Sequence, residues 1–464
     1  MEAMTTHHKA LDINMDSGRY GSFAEIGAGQ EVARWFFRVG GAAGTIAKTI
    51  SAYDKKVSDT IYGTNQRYVS SGRLLAMLER EYDLNLKRLD PERGGETSFF
   101  AFADTVSAQN YLGTADCHGW MGIRFQAHPR SPASQIILHA RMLDRDPLVQ
   151  HEALGILGVN LVYGASRLLD QPKILLGSLL DNLAKGRIEI DTVEFSGDAF
   201  ENLDPRLISL FLVELGLSEA AMLSAEGDVR RPSEILYKRP VILQRGRFRP
   251  PTKVHADIQR QTIDQFSADP NVDADRIVSL LEIGLAELRE TTGEIVEDFL
   301  DRITALTAGN QSVLLSDSPE YHIAVDYLAH FGAKQIAMPI GITDFIDLLN
   351  EDRYANQPGR LLETAGRLFG MGVRLYVYPG LDPKSGQRID LASFDVPGSV
   401  SKLLDYLVDQ DFVRPLDGVP DSELRIGSDD ILAMLRSGDH GWESHVEPEV
   451  IEVIKSGGLF GYKA

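Results

Sequence analysis

The feature that most restricts the fold is an alternation of periods in the last third of the chain. Short apolar runs at 312–315, 335–340 and 373–378 read as buried strands, and helix-period segments at 319–331, 343–349, 361–369 and 400–408 lie between and after them. Such alternation predicts βαβ units with right-handed crossovers, the building block of an open parallel sheet. The stretch 98–143 behaves differently. Ser98-Phe-Phe-Ala-Phe-Ala-Asp-Thr-Val, Gly119-Trp-Met-Gly-Ile-Arg-Phe-Gln and Gln135-Ile-Ile-Leu-His-Ala-Arg-Met-Leu are aromatic and β-branched runs separated by Gly and Pro, so consecutive, antiparallel strands are expected, with another at 187–195. Helix patterns precede and follow them at 45–61, 71–89, 148–169 and 205–215.

The expectation is an α/β protein with a mixed α+β half over 1–250, with strands near 98–143 and 187–195, and an α/β domain over 310–464 ending in a small helical extension. A helix-rich connector over 251–309 joins them, hinged at Phe248-Arg-Pro-Pro-Thr, where paired prolines remove ladder donors. A chain of 464 residues has room for two or three cores.

Charge narrows the partners. With 47 Lys+Arg against 67 Asp+Glu, a formal charge of −20 opposes capture by nucleic acid or anionic lipid. Cys117 is the only cysteine, which rules out an intramolecular disulfide and a Cys-rich zinc site; no metal site is expected. The first fifteen residues hold no apolar core of signal-peptide length, and no run approaches about 18 apolar residues. A cytoplasmic location away from membranes is the expectation. The densest basic stretch, Arg230, Arg231, Lys238, Arg239, Arg245, Arg247 and Arg249, supplies either a solvated strand region or an anion site.

Four segments carry candidate chemistry. Glu25-Ile-Gly-Ala-Gly-Gln-Glu-Val-Ala places Gly27 and Gly29 at the first two positions of a dinucleotide-binding turn, with Gln30 at a helix start and Val32 where the third glycine belongs. This is either a tight structural turn or a loop whose free N–H groups take a phosphate. Lys48 and Thr49 close a Gly-rich stretch in the manner of a P-loop, but Ala42 and Ala47 stand at its glycine positions; a helix–helix connection is the alternative, with Lys48 an anion partner. Asp104, His118 and Arg124, together with Asp116, Cys117 and His139, lie on or beside the strands of 98–143. If they converge, His118 is the proton carrier and Arg124 the anion clamp; if not, they are core and edge polar residues. Ser318, Pro319 and Glu320 form a helix start after the 312–315 run, at a strand end where open α/β sheets also bind ligands.

The segments Glu25-Ile-Gly-Ala-Gly-Gln-Glu-Val-Ala-Arg, Ala47-Lys-Thr-Ile-Ser-Ala-Tyr-Asp, Cys117-His-Gly-Trp-Met-Gly-Ile-Arg-Phe-Gln and Glu152-Ala-Leu-Gly-Ile-Leu-Gly-Val-Asn-Leu, with Gly366-Arg-Leu-Phe and Leu375-Tyr-Val-Tyr-Pro, resemble a bacterial family over nearly the whole chain. Its members carry the names nicotinate-nucleotide adenylyltransferase or TonB-dependent receptor. The second name implies some twenty-two membrane strands, which these helix patterns do not supply. The first implies an H-x-G-H-type phosphate motif near the N-terminus and a later I-S-S-T-x-x-R-like motif. His118-Gly119 lacks the second histidine and no Ser-Ser-Thr occurs. The resemblance carries over no catalytic residue and specifies no cofactor.

Two functional classes follow. One is a self-assembling homo-oligomer with a structural or regulatory role, suggested by the apolar helix faces at 154–163 and 207–215. The other is an enzyme or sensor that binds a phosphorylated small molecule or nucleotide.

Overall fold

The computed structural model describes residues 4–27, 30–109, 117–290, 295–382, 385–418, 420–425 and 427–463. The chain divides into two compact units, Met1–Ser218 and Glu219–Ala464. Both are mixed α/β.

The first unit is built on strands β1 (Arg19–Ile26), β2 (Ile46–Ile50), β3 (Ser98–Ser107), β4 (His118–Gln126), β5 (Ala133–Met142) and β6 (Ile188–Ser196), in spatial order β2-β1-β3-β4-β5-β6. β2, β1 and β3 run parallel, while β3 to β6 are antiparallel neighbours, as the aromatic runs predicted. Its helices are α1 (Thr6–Asn14), α2 (Glu31–Val39), α3 (Lys55–Tyr62), α4 (Ser71–Arg93), α5 (Pro147–Arg167), α6 (Pro172–Ser178) and α7 (Arg206–Glu214). On one face α4 lays Leu74, Met77 and Leu78 against Trp120 and Ile137. The other face takes α2 and α5: Phe36 stacks on Phe23 at 5.1 Å, and Val32 sits against Gly158. A Cβ at Gly158 would come within 2.3 Å of Val32 Cγ2, so the missing side chain lets these helices touch.

The second unit begins with an antiparallel edge pair, β7 (Ala220–Leu223) and β8 (Val229–Arg230), followed by α8 (Pro232–Leu236). A doubly wound core follows: β9 (Pro240–Arg245), α9 (Lys253–Ser267), β10 (Val278–Gly284), α10 (Leu285–Arg289), α11 (Ile295–Ala308), β11 (Ser312–Ser316), α12 (Tyr321–His330), β12 (Gln335–Gly341), α13 (Ile342–Leu348), α14 (Arg360–Gly370) and β13 (Val373–Tyr378). A small hairpin, β14 (Gly380–Leu381) and β15 (Arg388–Ile389), precedes α15 (Ser401–Asp409) and β16 (Val413–Pro415). The chain then continues through α16 (Asp421–Leu424), α17 (Ser428–Ser437) and α18 (Pro448–Gly457). The sheet order is β16-β13-β12-β9-β10-β11-β7-β8, parallel from β16 to β11.

Several expectations are corrected. The helix expected over 45–61 is an edge strand, β2, and then α3; Ile46 is buried, Ala47 exposed and the remaining three residues half-buried, a stretch too short to announce itself against the helix that follows. The 251–309 segment is no connector. It supplies α9, β10 and α11 to the second sheet, because Val278-Ser-Leu-Leu-Glu-Ile is a strand buried on both faces and lacks the alternation of a half-exposed one. Glu320, not Ser318, is the N-cap of α12. In the apolar faces at 154–163 and 207–215, Leu154, Leu157, Leu161, Leu210 and Leu212 are buried within the first unit, while Leu215 is exposed. Both sheets are open and flanked by helices, which excludes the membrane-barrel reading of one family name. Among the described residues no helix is long and apolar enough to cross a membrane.

Candidate functional site

In the second unit the chain winds outward from β9 through β10 to β11, then returns and winds the other way from β12 through β13 to β16. The reversal lies between β9 and β12, and a doubly wound sheet opens its ligand crevice outside the carboxyl ends of the strands at that point. The ladder shows the opening. β12 pairs with β9 only from Gln335 to Ala337, opposite Pro240 to Ile242. The last residues of both strands, up to Arg245 and Gly341, carry no mutual pairing.

Four strand ends and their loops furnish this crevice. Glu282, fully buried on β10, accepts from Arg245 Nη2 at 2.7 Å and Nε at 3.0 Å, and from Ser316 Oγ at 2.6 Å. Arg245 also donates to the carbonyls of Ser318 and Pro319 and lies 4.7 Å over the Tyr321 ring. One ion pair thus ties the ends of β9, β10 and β11 together. The turn after β9 is pinned from beneath. Arg249 and Arg302 both hold Asp298, Arg302 Nη1 donates to the carbonyl of Arg247 at 2.8 Å, and buried Phe248 packs under Gly246, where any Cβ would meet the ring at 2.9 Å. The Arg247 side chain projects from this fixed backbone, 60% exposed, with Asp429 at 3.9 Å.

Facing groups are acidic or phenolic. Asp344 stands in the first turn of α13; although it is exposed, the surrounding crevice wall desolvates its carboxyl and Asp347 repels it, so its pKa is raised against the pull of Arg247 and Arg353. Burial also raises Tyr321 and Glu287. Glu287 Oε2 is buried with no hydrogen-bond partner among the described residues, an acceptor left open beside the crevice. The arrangement can hold an anion on Arg247, with the Glu287 and Asp344 carboxyls, both raised by burial, beside it.

The turn itself departs from the dinucleotide pattern. Gly246-Arg-Phe-Arg-Pro-Pro-Thr replaces G-x-G-x-x-G, and the acidic residue of the next strand, Glu282, is consumed by Arg245, so it cannot take a ribose hydroxyl. Thr252 stands as the N-cap of α9, three residues before His255. Thr252 N donates to His255 Nδ1 at 3.0 Å, and burial pushes the imidazole down to about 4, so the ring is neutral with its proton on Nε2. Sequence reasoning did not single out Glu282, Glu287 or Asp344, because no local pattern marks residues that meet only through strand order. The basic stretch, by contrast, did contain Arg247. Its other members are tied locally, Arg230 to Asp228, Arg231 to Glu234 and Arg239 to the carbonyl of Arg276.

The candidates of the first unit are dispersed. Gly27 has φ +106°, and a Cβ there would overlap the carbonyl of Val106 at 2.0 Å, so packing against β3 accounts for it. Gly29 lies outside the described residues, as does Asp116. Gln30 is the N-cap of α2 and makes no side-chain cap bond. The donors meant for a phosphate are already used: the Glu25 carboxylate accepts from Val32 N at 3.0 Å and Ala33 N at 2.9 Å. Burial pushes Glu25 up to about 7 and the fully buried Asp104 well above the usual carboxylate range, each raised further by a neighbouring carboxyl. Lys48 sits on edge strand β2 and pairs with Glu81, which also accepts from the Tyr62 hydroxyl at 3.0 Å.

Asp104, His118 and Arg124 do not meet. Neighbouring Ala103 packs on α4, so Asp104 points to the opposite face. His118 and Arg124 share the α4 face but stand six residues apart on one strand, about 20 Å; Arg124 lies over Tyr82 at 5.4 Å. His118 has other company. Its Nδ1 is 2.9 Å from His139 Nε2, and His139 Nδ1 is 2.8 Å from Asp191 Oδ1, a three-link chain across β4, β5 and β6 running from a half-buried imidazole to a buried carboxylate.

No family model matches this chain, and no curated protein matches it. Solved structures align loosely. The competence/damage inducible protein CihA from Agrobacterium tumefaciens is 15% identical, with 36% of this chain and 99% of that one covered, at a TM-score of 0.25. The Plasmodium falciparum nicotinic acid mononucleotide adenylyltransferase complexed with APC is 11% identical, with 48% of this chain and 98% of that one covered, at a TM-score of 0.29. Likenesses this loose assign no chemistry to either unit.

Proposed function

We propose that the second unit binds a phosphorylated small molecule, a nucleotide first among them, in the crevice between the carboxyl ends of β9 and β12. The observation that carries this reading is the unpaired end of the two central strands, with Arg247 exposed on a backbone that Arg302 fixes from below. Pre-organisation matters because a guanidinium already held at the crevice loses little freedom when it meets a phosphate. The first helix after the switch-point strand adds the positive end of its dipole.

The test is a thermal-shift panel of ATP, ADP, pyrophosphate and sugar phosphates on the full chain. At a ligand concentration a hundred times Kd, binding stabilises by about 2.7 kcal/mol, several degrees in Tm. Arg247→Glu should abolish the response, and Arg230→Glu, on the β8 edge, should leave it intact. No shift with any member of the panel contradicts the reading.

A second reading concerns the first unit, where the Asp191–His139–His118 chain supports His118 as a proton carrier. In that arrangement Asp191 fixes the tautomer of His139. Nitrogen-15 NMR should show His139 protonated on Nδ1 in wild type and a mixture of tautomers in Asp191→Leu; identical spectra would remove the relay.

A further inference from the structure

The chain that follows the last strand of the second sheet comes back to the crevice. Just after β16, Asp417 N and Gly418 N donate to Gln261 Oε1 of α9 at 3.0 and 3.3 Å. Leu424 joins Val254, Ile258 and Tyr378 in one apolar cluster, closer to the start of α9. α17 then begins beside the turn after β9, with Asp429 Oδ2 3.9 Å from Arg247 Nη1. The extension is anchored where it lies. Ile431 and Leu435 of α17 share a core with Trp442, Val450 and Ala305 of α11, and Lys253 Nζ donates to the carbonyl of Ser444 at 2.8 Å.

The two acids in the first turn of α17 have different employment. Asp430 caps its own helix, its Oδ2 accepting from Gly427 N at 3.0 Å. Asp429 takes no part in that cap; its side chain is 87% exposed and reaches Arg247. Glu287 and Asp344, also within electrostatic reach of Arg247, stand on α10 and α13, helices that complete the sheet. Asp429 stands on an element added after the sheet is finished.

We propose that the C-terminal extension restrains the crevice: Asp429 holds the Arg247 guanidinium in the free protein, standing in for a phosphate, and gives way when a phosphorylated ligand binds. This inference rests on the crevice reading above. A guanidinium takes a carboxylate and a phosphate by the same charge-assisted hydrogen bonds, so the two anions compete for one group. An exposed pair at this distance is weak, which lets it exchange; its loss should tighten phosphate binding about two- to five-fold.

The experiment is isothermal titration of pyrophosphate into the full chain as wild type, Asp429→Asn and Asp430→Asn. Both substitutions remove one negative charge from the same helical turn, and Asn at 430 keeps an oxygen for the cap. Asp429→Asn should bind pyrophosphate about two- to five-fold more tightly than wild type, and Asp430→Asn as wild type does. Equal affinity in wild type and Asp429→Asn, or the same gain in both variants, overturns the restraint and leaves the crevice reading standing. No binding by any of the three chains overturns both.

Discussion

Glu282 shows how one residue organises the crevice without belonging to its open wall. Its carboxylate is out of water and answers to three donors on two other strands, Arg245 Nη2 and Nε and Ser316 Oγ. Removing one partner of such a pair leaves the other charge buried, so Glu282→Ala should cost about 3–5 kcal/mol in urea denaturation. A joint replacement of Glu282 and Arg245 by Gln and Met should cost less than Glu282→Ala alone, since neither charge is then stranded; a larger cost for the pair would contradict this account of the ion pair. Glu25 plays the corresponding part in the first unit, capping α2 with a carboxyl that burial pushes up to about 7.

At the scale of elements, the contact between α2 and α5 depends on one absent side chain. Gly158→Ala would press a methyl against both Val32 Cγ atoms, at 2.3 and 2.8 Å, and should destabilise by about 1–3 kcal/mol. Val32→Ala in the same chain should recover most of that loss, a coupling that a double-mutant cycle measures directly. Simple additivity of the two changes would show that the helices do not meet there. The same elements show what was legible in the sequence. The antiparallel strands β3 to β5 announced themselves because aromatic and β-branched runs were punctuated by Gly and Pro. The alternation after 312 was equally plain. β2 and β10 were not, one because five residues cannot display a period, the other because a strand buried on both faces has none. The order of strands in space is invisible to any reading of periodicity, and with it the switch point. So Arg247 was visible as a basic residue but not as the one member of its stretch left facing a crevice.

The whole molecule is two units whose buried titrating groups pull in opposite directions with pH. Glu25 has a folded pKa above its unfolded value, so the folded state holds its proton more tightly; that stability is present below about pH 4.5 and is lost as pH rises through about 7. His255 is the reverse: its pKa falls to about 4, so its contribution is full above about 6.5 and is lost as pH drops toward 4. Each is worth up to about 3 kcal/mol. Between pH 5 and 8 the stability of wild type relative to Glu25→Gln should decline. Between pH 4 and 7 the stability of wild type relative to His255→Gln should rise. Parallel curves in either comparison would mean that the group titrates as it does in water.

The central claim is that the doubly wound unit takes its ligand at the reversal of its strand order. Hydrogen exchange of the full chain with and without saturating ATP tests it most directly. The prediction is slowed exchange concentrated in 246–256 and 341–347, the turn after β9 and the start of α13, with the amides of α2 unchanged. Protection centred on 30–34, or an ATP complex with no protection at either strand end, would contradict the account.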